Sequence, residues 1–151
     1  MLLLSRARLR ASALLLLLVT AFGIVATATP AEAMTTYQSR VLGEAQRHKG
    51  QPYVYGAAGP TRFDCSGFTL YVFSRFGKRL PHNAARQYGV VRHISKSSKQ
   101  VGDLIFFRSS SGSIYHVGIY AGSGRIWHAP KPGSYVKLAT IWTSSYVVGR
   151  A

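Results

Sequence analysis

The hydrophobic pattern of the chain changes near its middle, from the periodicity of helices to the alternation and short apolar runs of β-strands. Before residue 90 the pattern predicts helices over 36–49, 64–77 and 83–88. After Val101 it predicts strands over 104–107, 114–120, 125–129, 135–138 and 146–148. Helices that precede an antiparallel sheet are typical of an α+β fold, which is the fold class that the sequence predicts.

The first 33 residues have the three parts of a secretory signal. Three arginines lie near the start, an apolar stretch covers 13–25, and Ala31-Glu32-Ala33 has the small residues of a cleavage site. We therefore predict a signal peptide over 1–33 and one mature domain over 34–151, secreted or in the cell wall, monomeric and free of the membrane. A retained N-terminal anchor is the alternative, although the apolar stretch is at the short limit for a bilayer span.

Basic residues greatly outnumber acidic ones. The chain has 19 Lys and Arg residues against 4 Asp and Glu residues, and the predicted leader takes only three arginines and Glu32 of these. A domain with this charge accumulates at polyanions, so outside a cell we expect anionic cell-wall polymers as partners. Plain solubility is the alternative explanation. The basic residues are scattered and no nucleic-acid-binding module is evident, so we expect no specific nucleic-acid partner.

Cys65 is the only cysteine of the chain. Exported proteins usually pair their thiols, and a lone thiol cannot form an internal disulfide. The second predicted helix starts with Asp64 as N-cap, so a Cys65 thiolate would lie at the positive end of the helix dipole. Three interpretations stay open: a nucleophile that needs a histidine partner, a small buried apolar side chain, or an exposed thiol that is prone to oxidation.

His116 and His128 are the candidate partners of such a thiol. Alternation in the predicted strand places His116 on one face with Gly118, and the glycine leaves room beside the ring. A three-residue loop over 121–123 would pair His116 with His128 and place both rings on one face. A two-residue turn at 122–123 would place them on opposite faces. The alternative is a core histidine whose two nitrogens are both hydrogen-bonded.

The other histidines receive no catalytic role. His48 ends the first predicted helix, where a cation suits the helix dipole, and His82 and His93 lie near loops, where we expect solvated side chains. One cysteine and few acidic residues, with no cluster at ligand spacing, predict no metal site and no cofactor.

Six short motifs follow one another along the chain in a characteristic order. They are Gly50-Gln51-Pro52-Tyr53-Val54-Tyr55-Gly56, Phe63-Asp64-Cys65-Ser66-Gly67-Phe68, Leu80-Pro81 with Gln87, Gly102-Asp103-Leu104-Ile105-Phe106-Phe107, His116-Val117-Gly118-Ile119-Tyr120 and His128-Ala129-Pro130. With these motifs the chain, from about Thr36 to Gly149, resembles the NlpC/P60 family of cell-wall cysteine peptidases. The resemblance implies a papain-like α+β core and hydrolysis of peptidoglycan stem peptides, usually at the γ-D-glutamyl–diaminopimelate (or –lysine) bond.

The resemblance also implies a role for each catalytic residue. Cys65 would be the nucleophile, His116 the base and His128 the polar third member of the triad. Tyr53 would line the site and assist the oxyanion. The backbone N–H of Cys65, at a helix start, is a further natural oxyanion donor.

Asp64 and Ser66 fall where relatives of the family contact the stem peptide. The chain departs from the family pattern at Ala57, where a second glycine is common, at His82, where an arginine is common, and at Val101, where a proline is frequent. These departures concern substrate detail, since none removes a catalytic atom. An amidase or acyltransferase on the same scaffold and a non-catalytic basic wall-binding protein are the alternative functions.

Overall fold

The computed structural model describes residues 30–151, with side chains from Thr36 onward. The predicted signal peptide lies outside the described residues apart from 30–33, and its cleavage stays a prediction. Among the residues described, no helix has the length and apolarity needed to cross a membrane.

Among the described residues, three α-helices precede the sheet, as the sequence pattern predicts. They are α1 (Pro30–Arg47), α2 (Cys65–Ser74) and α3 (Ala84–Val90), and a short 3-10 helix follows at Lys96–Ser98. The second helix ends three residues before the predicted Gly77, because the N–H of Lys78 turns back to the carbonyl of Phe73 and Gly77 adopts φ +75°.

The remaining chain forms one antiparallel sheet of six strands. The strands are β1 (Arg92–Ile94), β2 (Leu104–Arg108), β3 (Ile114–Gly122), β4 (Arg125–His128), β5 (Lys137–Thr140) and β6 (Tyr146–Arg150). Their spatial order is β1-β6-β2-β3-β4-β5, and β1, which the sequence pattern does not predict, pairs with β6 at the edge. The predicted α+β fold class is confirmed.

The core lies between α2 and the sheet. Phe68, Val72 and Phe73 of α2 are buried against Val117 and Ile119 of β3. Burial of each such side chain contributes about 1.5–3 kcal/mol. This packing fixes the N-terminus of α2 against the central strand β3.

The β3–β4 hairpin differs from both loop arrangements considered from the sequence. Its turn consists of Ser123 and Gly124, and an irregularity at Ala121 shifts the register, so that Tyr120 pairs with Ile126 rather than with Gly124. The shift is two residues, and a shift of two leaves every side chain on its face. The predicted pairing of His116 with His128 is therefore wrong, although the two rings still lie on the same face.

Candidate active site

Asp64 fixes the start of α2 and with it the position of Cys65. One carboxylate oxygen, Oδ1, accepts the N–H of Gly67 at 2.7 Å, and the other, Oδ2, accepts the N–H of Gly56 at 2.9 Å. Cys65 is the first residue of the helix, and the N–H of Ser66 hydrogen-bonds to its sulfur. The thiol thus lies at the positive end of the helix, as the sequence predicts.

A close backbone approach holds this helix start against the preceding loop. The N–H of Asp64 donates to the carbonyl of Ala57 at 2.8 Å, and a Cβ added at Gly67 would lie 2.0 Å from the same oxygen. Glycine is therefore required at position 67, because any side chain would force the helix away from the loop.

The two candidate imidazoles contact each other directly. His116 Nε2 lies 2.9 Å from His128 Nδ1, and both side chains are buried. A Cβ at Gly118 would lie 3.2 Å from the Cβ of His128 and 2.8 Å from Cδ1 of Ile126, so the glycine admits the second ring. His116 therefore has Nδ1 left for another partner.

Trp142 covers the imidazole pair from the solvent side. Its ring stacks on Phe107 at 4.0 Å between centroids, and it tilts over His116 at 5.7 Å and over His128 at 5.5 Å. Sequence reasoning missed this residue, since its position after β5 becomes significant only when the sheet is assembled.

The thiol and the imidazole pair open into one cleft of about 530 Å³, which Cys65, His116, His128 and Trp142 line together. The N–H of Val117, the neighbour of His116, also hydrogen-bonds to the Cys65 sulfur. The structure therefore brings together the three residues that the sequence nominates as nucleophile, base and third member.

Burial keeps the side chains of Cys65, His116 and His128 uncharged near neutral pH. It raises the pKa of the Cys65 thiol, with the Asp64 charge as the next cause, and the hydrogen bonds to the sulfur only partly oppose this rise. Burial lowers the pKa of His116 to about 4, and burial with the charges of His116 and Lys137 lowers the pKa of His128 to about 3. The resting pair is a neutral thiol beside a neutral imidazole.

A second cavity of about 320 Å³ also borders Cys65. Its lining includes Tyr53, Asp64, Ser66 and His82. Tyr53 borders both cavities, and burial, followed by the charges of Cys65 and Asp64, raises its pKa. Asp64 and Ser66 are both buried, and the Asp64 oxygens already accept backbone N–H groups, so Asp64 acts first as a structural anchor.

His82 is not solvated as expected from the sequence. Its Nε2 lies 2.8 and 2.9 Å from the two oxygens of Asp64, 18 residues earlier, and its side chain is 31% exposed. The fully buried Gln87 holds this loop in place, because its amide donates to the carbonyls of Ser66 and Pro81. An arginine is common in the family at position 82, and this was the one feature of the sequence that indicated an ion pair there.

Among the residues that the structure describes, no three His, Cys, Asp or Glu side chains are grouped as ligands. His48 is buried between Glu44 and Gln51 and packs edge-on against Phe63, so it belongs to the core rather than to a helix end in solvent.

A thiol at a helix N-terminus beside a histidine pair on an antiparallel sheet defines the class of papain-like thiol hydrolases. The comparisons with known proteins narrow this class. The chain belongs to the NlpC/P60 family, whose model matches residues 50–148. This is a family of cysteine peptidases, as the sequence motifs predict.

Two curated relatives and one solved structure illustrate the similarity. "Probable endopeptidase p60" of Listeria grayi is 50% identical over 95 residues, which are 63% of this chain and 18% of that protein. "Gamma-D-glutamyl-L-lysine dipeptidyl-peptidase" of Bacillus subtilis is 34% identical over 99 residues, 64% of this chain and 33% of that protein. The crystal structure of the NlpC/p60 domain of the peptidoglycan hydrolase SagA superposes with a TM-score of 0.69 at 35% identity, over 76% of this chain and 98% of that one. The chain thus spans about a fifth to a third of the length of these curated relatives.

Proposed function

We propose that the domain is a cysteine endopeptidase of peptidoglycan, and that it hydrolyses the γ-D-glutamyl bond to the third residue of the stem peptide. The observation that carries the proposal is the meeting of Cys65, His116 and His128 in one cleft. The choice of bond is supported by the relative named for a γ-D-glutamyl-L-lysine linkage.

In the catalytic cycle, one nitrogen of His116 binds His128 and the other acts as the base. His116 donates its Nε2–H to His128 Nδ1, which leaves Nδ1 of His116 as the base. Because the thiol and the imidazole are both neutral at rest, Nδ1 takes the thiol proton as the sulfur attacks the carbonyl carbon, rather than beforehand.

Collapse of the tetrahedral intermediate releases the amine. The oxyanion accepts a hydrogen bond from the Cys65 N–H, with Tyr53 beside it. The C–N bond breaks, the His116 imidazolium gives its proton to the leaving nitrogen, and the acyl group remains on sulfur as a thioester. Water then attacks the thioester with His116 again as base, which restores the thiol and releases the glutamyl carboxylate.

The distribution of charge supports a second component, attraction to anionic wall polymers. Each carboxylate side chain that the structure describes is buried and paired: Glu44 with Arg47, Asp64 with His82, and Asp103 with Arg150. The solvent-facing charge of the described residues is therefore positive. Together with the predicted leader, this charge supports a secreted enzyme that concentrates at the wall.

Mass spectrometry of purified muropeptides digested by the protein tests the endopeptidase, with Cys65→Ala as the control. We expect new N-terminal fragments that end at the γ-D-glutamyl carboxylate and complementary fragments that start at the third residue. Products cleaved between sugar and peptide would indicate an amidase instead, and peptide transferred to an added amine would indicate an acyltransferase.

Sedimentation of Cys65→Ala with purified cell walls at rising NaCl concentration tests the attraction to anionic wall polymers. We expect binding to fall steeply with salt, and unchanged binding would exclude this attraction.

A further inference from the structure

The cleft has two arms of different charge, which meet at Cys65. One arm contains Asp64, whose carboxylate is hydrogen-bonded to His82, and the other contains Lys131 and Lys137 beside His128 and Trp142. No carboxylate lines the second arm, and neither lysine ammonium has an ion-pair partner among the described residues. The second arm therefore has two cations whose charge nothing in the described domain neutralises.

The proton transfers fix which half of a substrate occupies each arm. His116 must protonate the nitrogen that leaves, so the leaving half lies on the side of the imidazole pair. The acyl half then lies in the arm of Asp64 and Ser66. The two lysines accordingly face the residue that follows the scissile bond.

We propose that Lys131 and Lys137 bind a carboxylate on the leaving half of the substrate and select stem peptides whose third residue has a free side-chain carboxylate. This inference rests on the proposed function and specifies its substrate. A diaminopimelate residue provides such a carboxylate, whereas a lysine residue has only an ammonium, which the two cations repel.

The electrostatics of the imidazole pair agree with this assignment. Lys137 is close enough to His128 to contribute to the low pKa of that ring. A carboxylate between the lysines would offset this repulsion and stabilise the His116 imidazolium that forms during catalysis. Substrate binding would thus favour proton transfer to His116, in addition to selecting the third residue of the stem peptide.

The test compares kcat/KM for three tetrapeptides, L-Ala-γ-D-Glu-X-D-Ala, in which X is meso-diaminopimelate, its side-chain carboxamide or L-lysine. The carboxamide has almost the shape of diaminopimelate without the negative charge. We expect the wild-type protein to prefer diaminopimelate to its carboxamide by about tenfold, the scale of one charge-assisted contact. The preference over lysine should be at least as large.

Substitutions connect this preference to the two lysines. In Lys131→Met/Lys137→Met the ratio of diaminopimelate to carboxamide should fall to about one, and in Lys137→Glu lysine should become the better substrate. Lys78→Met, at an exposed lysine that lines a separate cavity with Tyr37 and Arg150, should keep the wild-type ratio. Equal wild-type rates for all three peptides, or a ratio unchanged in the double variant, would overturn the inference while leaving the endopeptidase intact. Cleavage of none of the three would instead count against the proposed function.

Discussion

His116 Nε2 and His128 Nδ1 lie 2.9 Å apart, although the two residues are 12 positions apart and are not paired across the hairpin. The contact depends on the pairing of Tyr120 with Ile126, which keeps both rings on one face of the sheet, and on Gly118, which leaves room for the second ring. The pair orients one imidazole towards the thiol by engaging its far nitrogen.

The first prediction concerns the acceptor that His128 provides. His128→Leu removes Nδ1, so the His116 ring loses its orientation, and we expect kcat/KM on a stem tetrapeptide to fall by about 100-fold. His128→Asn retains an acceptor and should recover about tenfold of this loss. A His128→Leu variant that matches the wild-type rate would exclude a positioning role, and equal rates of the two variants would exclude the hydrogen bond as its cause.

The second prediction concerns stability at acid pH. The pKa of His116 is about 4 and that of His128 about 3 in the folded protein, whereas unfolded histidines titrate near 6.5. Between these values the unfolded chain binds more protons, so the free energy of unfolding rises with pH from 4 to 6.5 and is lost as the pH falls. Urea titrations across this range should show a change of roughly 5 kcal/mol, about half of it from each histidine.

The control for the pH dependence is a histidine outside the pair. His128→Asn should make the free energy of unfolding less dependent on pH. His93→Asn, which removes an exposed ring stacked on Tyr88, is the matched control and should keep the wild-type dependence. A profile equally steep in His128→Asn and in the wild-type protein would show that the buried pair does not cause the acid sensitivity.

The third prediction concerns the close approach at the start of α2. Gly67→Ala places a Cβ 2.0 Å from the Ala57 carbonyl oxygen, and we expect a loss of roughly 1–3 kcal/mol in the free energy of unfolding. The displaced helix start should also reduce cleavage. Thermal or urea unfolding measures the first effect, and tetrapeptide turnover the second.

Gly43→Ala is the matched control for this substitution. Gly43 lies within α1, is exposed, and has nothing within 4 Å of an added Cβ, so alanine should add about 0.5–1 kcal/mol of stability. If both glycine variants were equally stable and equally active, the constraint at position 67 would be refuted.

Local sequence features account for much of this arrangement. Asp64 is an N-cap by residue type, and its position predicts the first turn of α2 and the thiol within it. The β3–β4 strands follow from alternation and a glycine-containing turn. Their register does not, because the irregularity at Ala121 depends on how β3 fits both neighbours in the sheet.

Other parts of the site depend on contacts between distant segments. β1 has only three residues and exists through pairing with β6, more than fifty residues later. His82 reaches Asp64 because Gln87 ties the intervening loop to α2, and Trp142 reaches the histidine pair because β5 closes the sheet edge. Single-sequence patterns contain no signal for such packing, so these side chains could not be assigned beforehand.

The thiol mechanism is tested most directly by the rate of tetrapeptide cleavage by wild-type protein and by Cys65→Ser at matched concentration, with the unfolding midpoint of each. We expect serine, whose hydroxyl the neutral His116 activates poorly, to lower kcat/KM by about 1,000-fold or more while the fold is unchanged. A folded Cys65→Ser variant that cleaves within about tenfold of the wild-type rate would contradict a thiol mechanism.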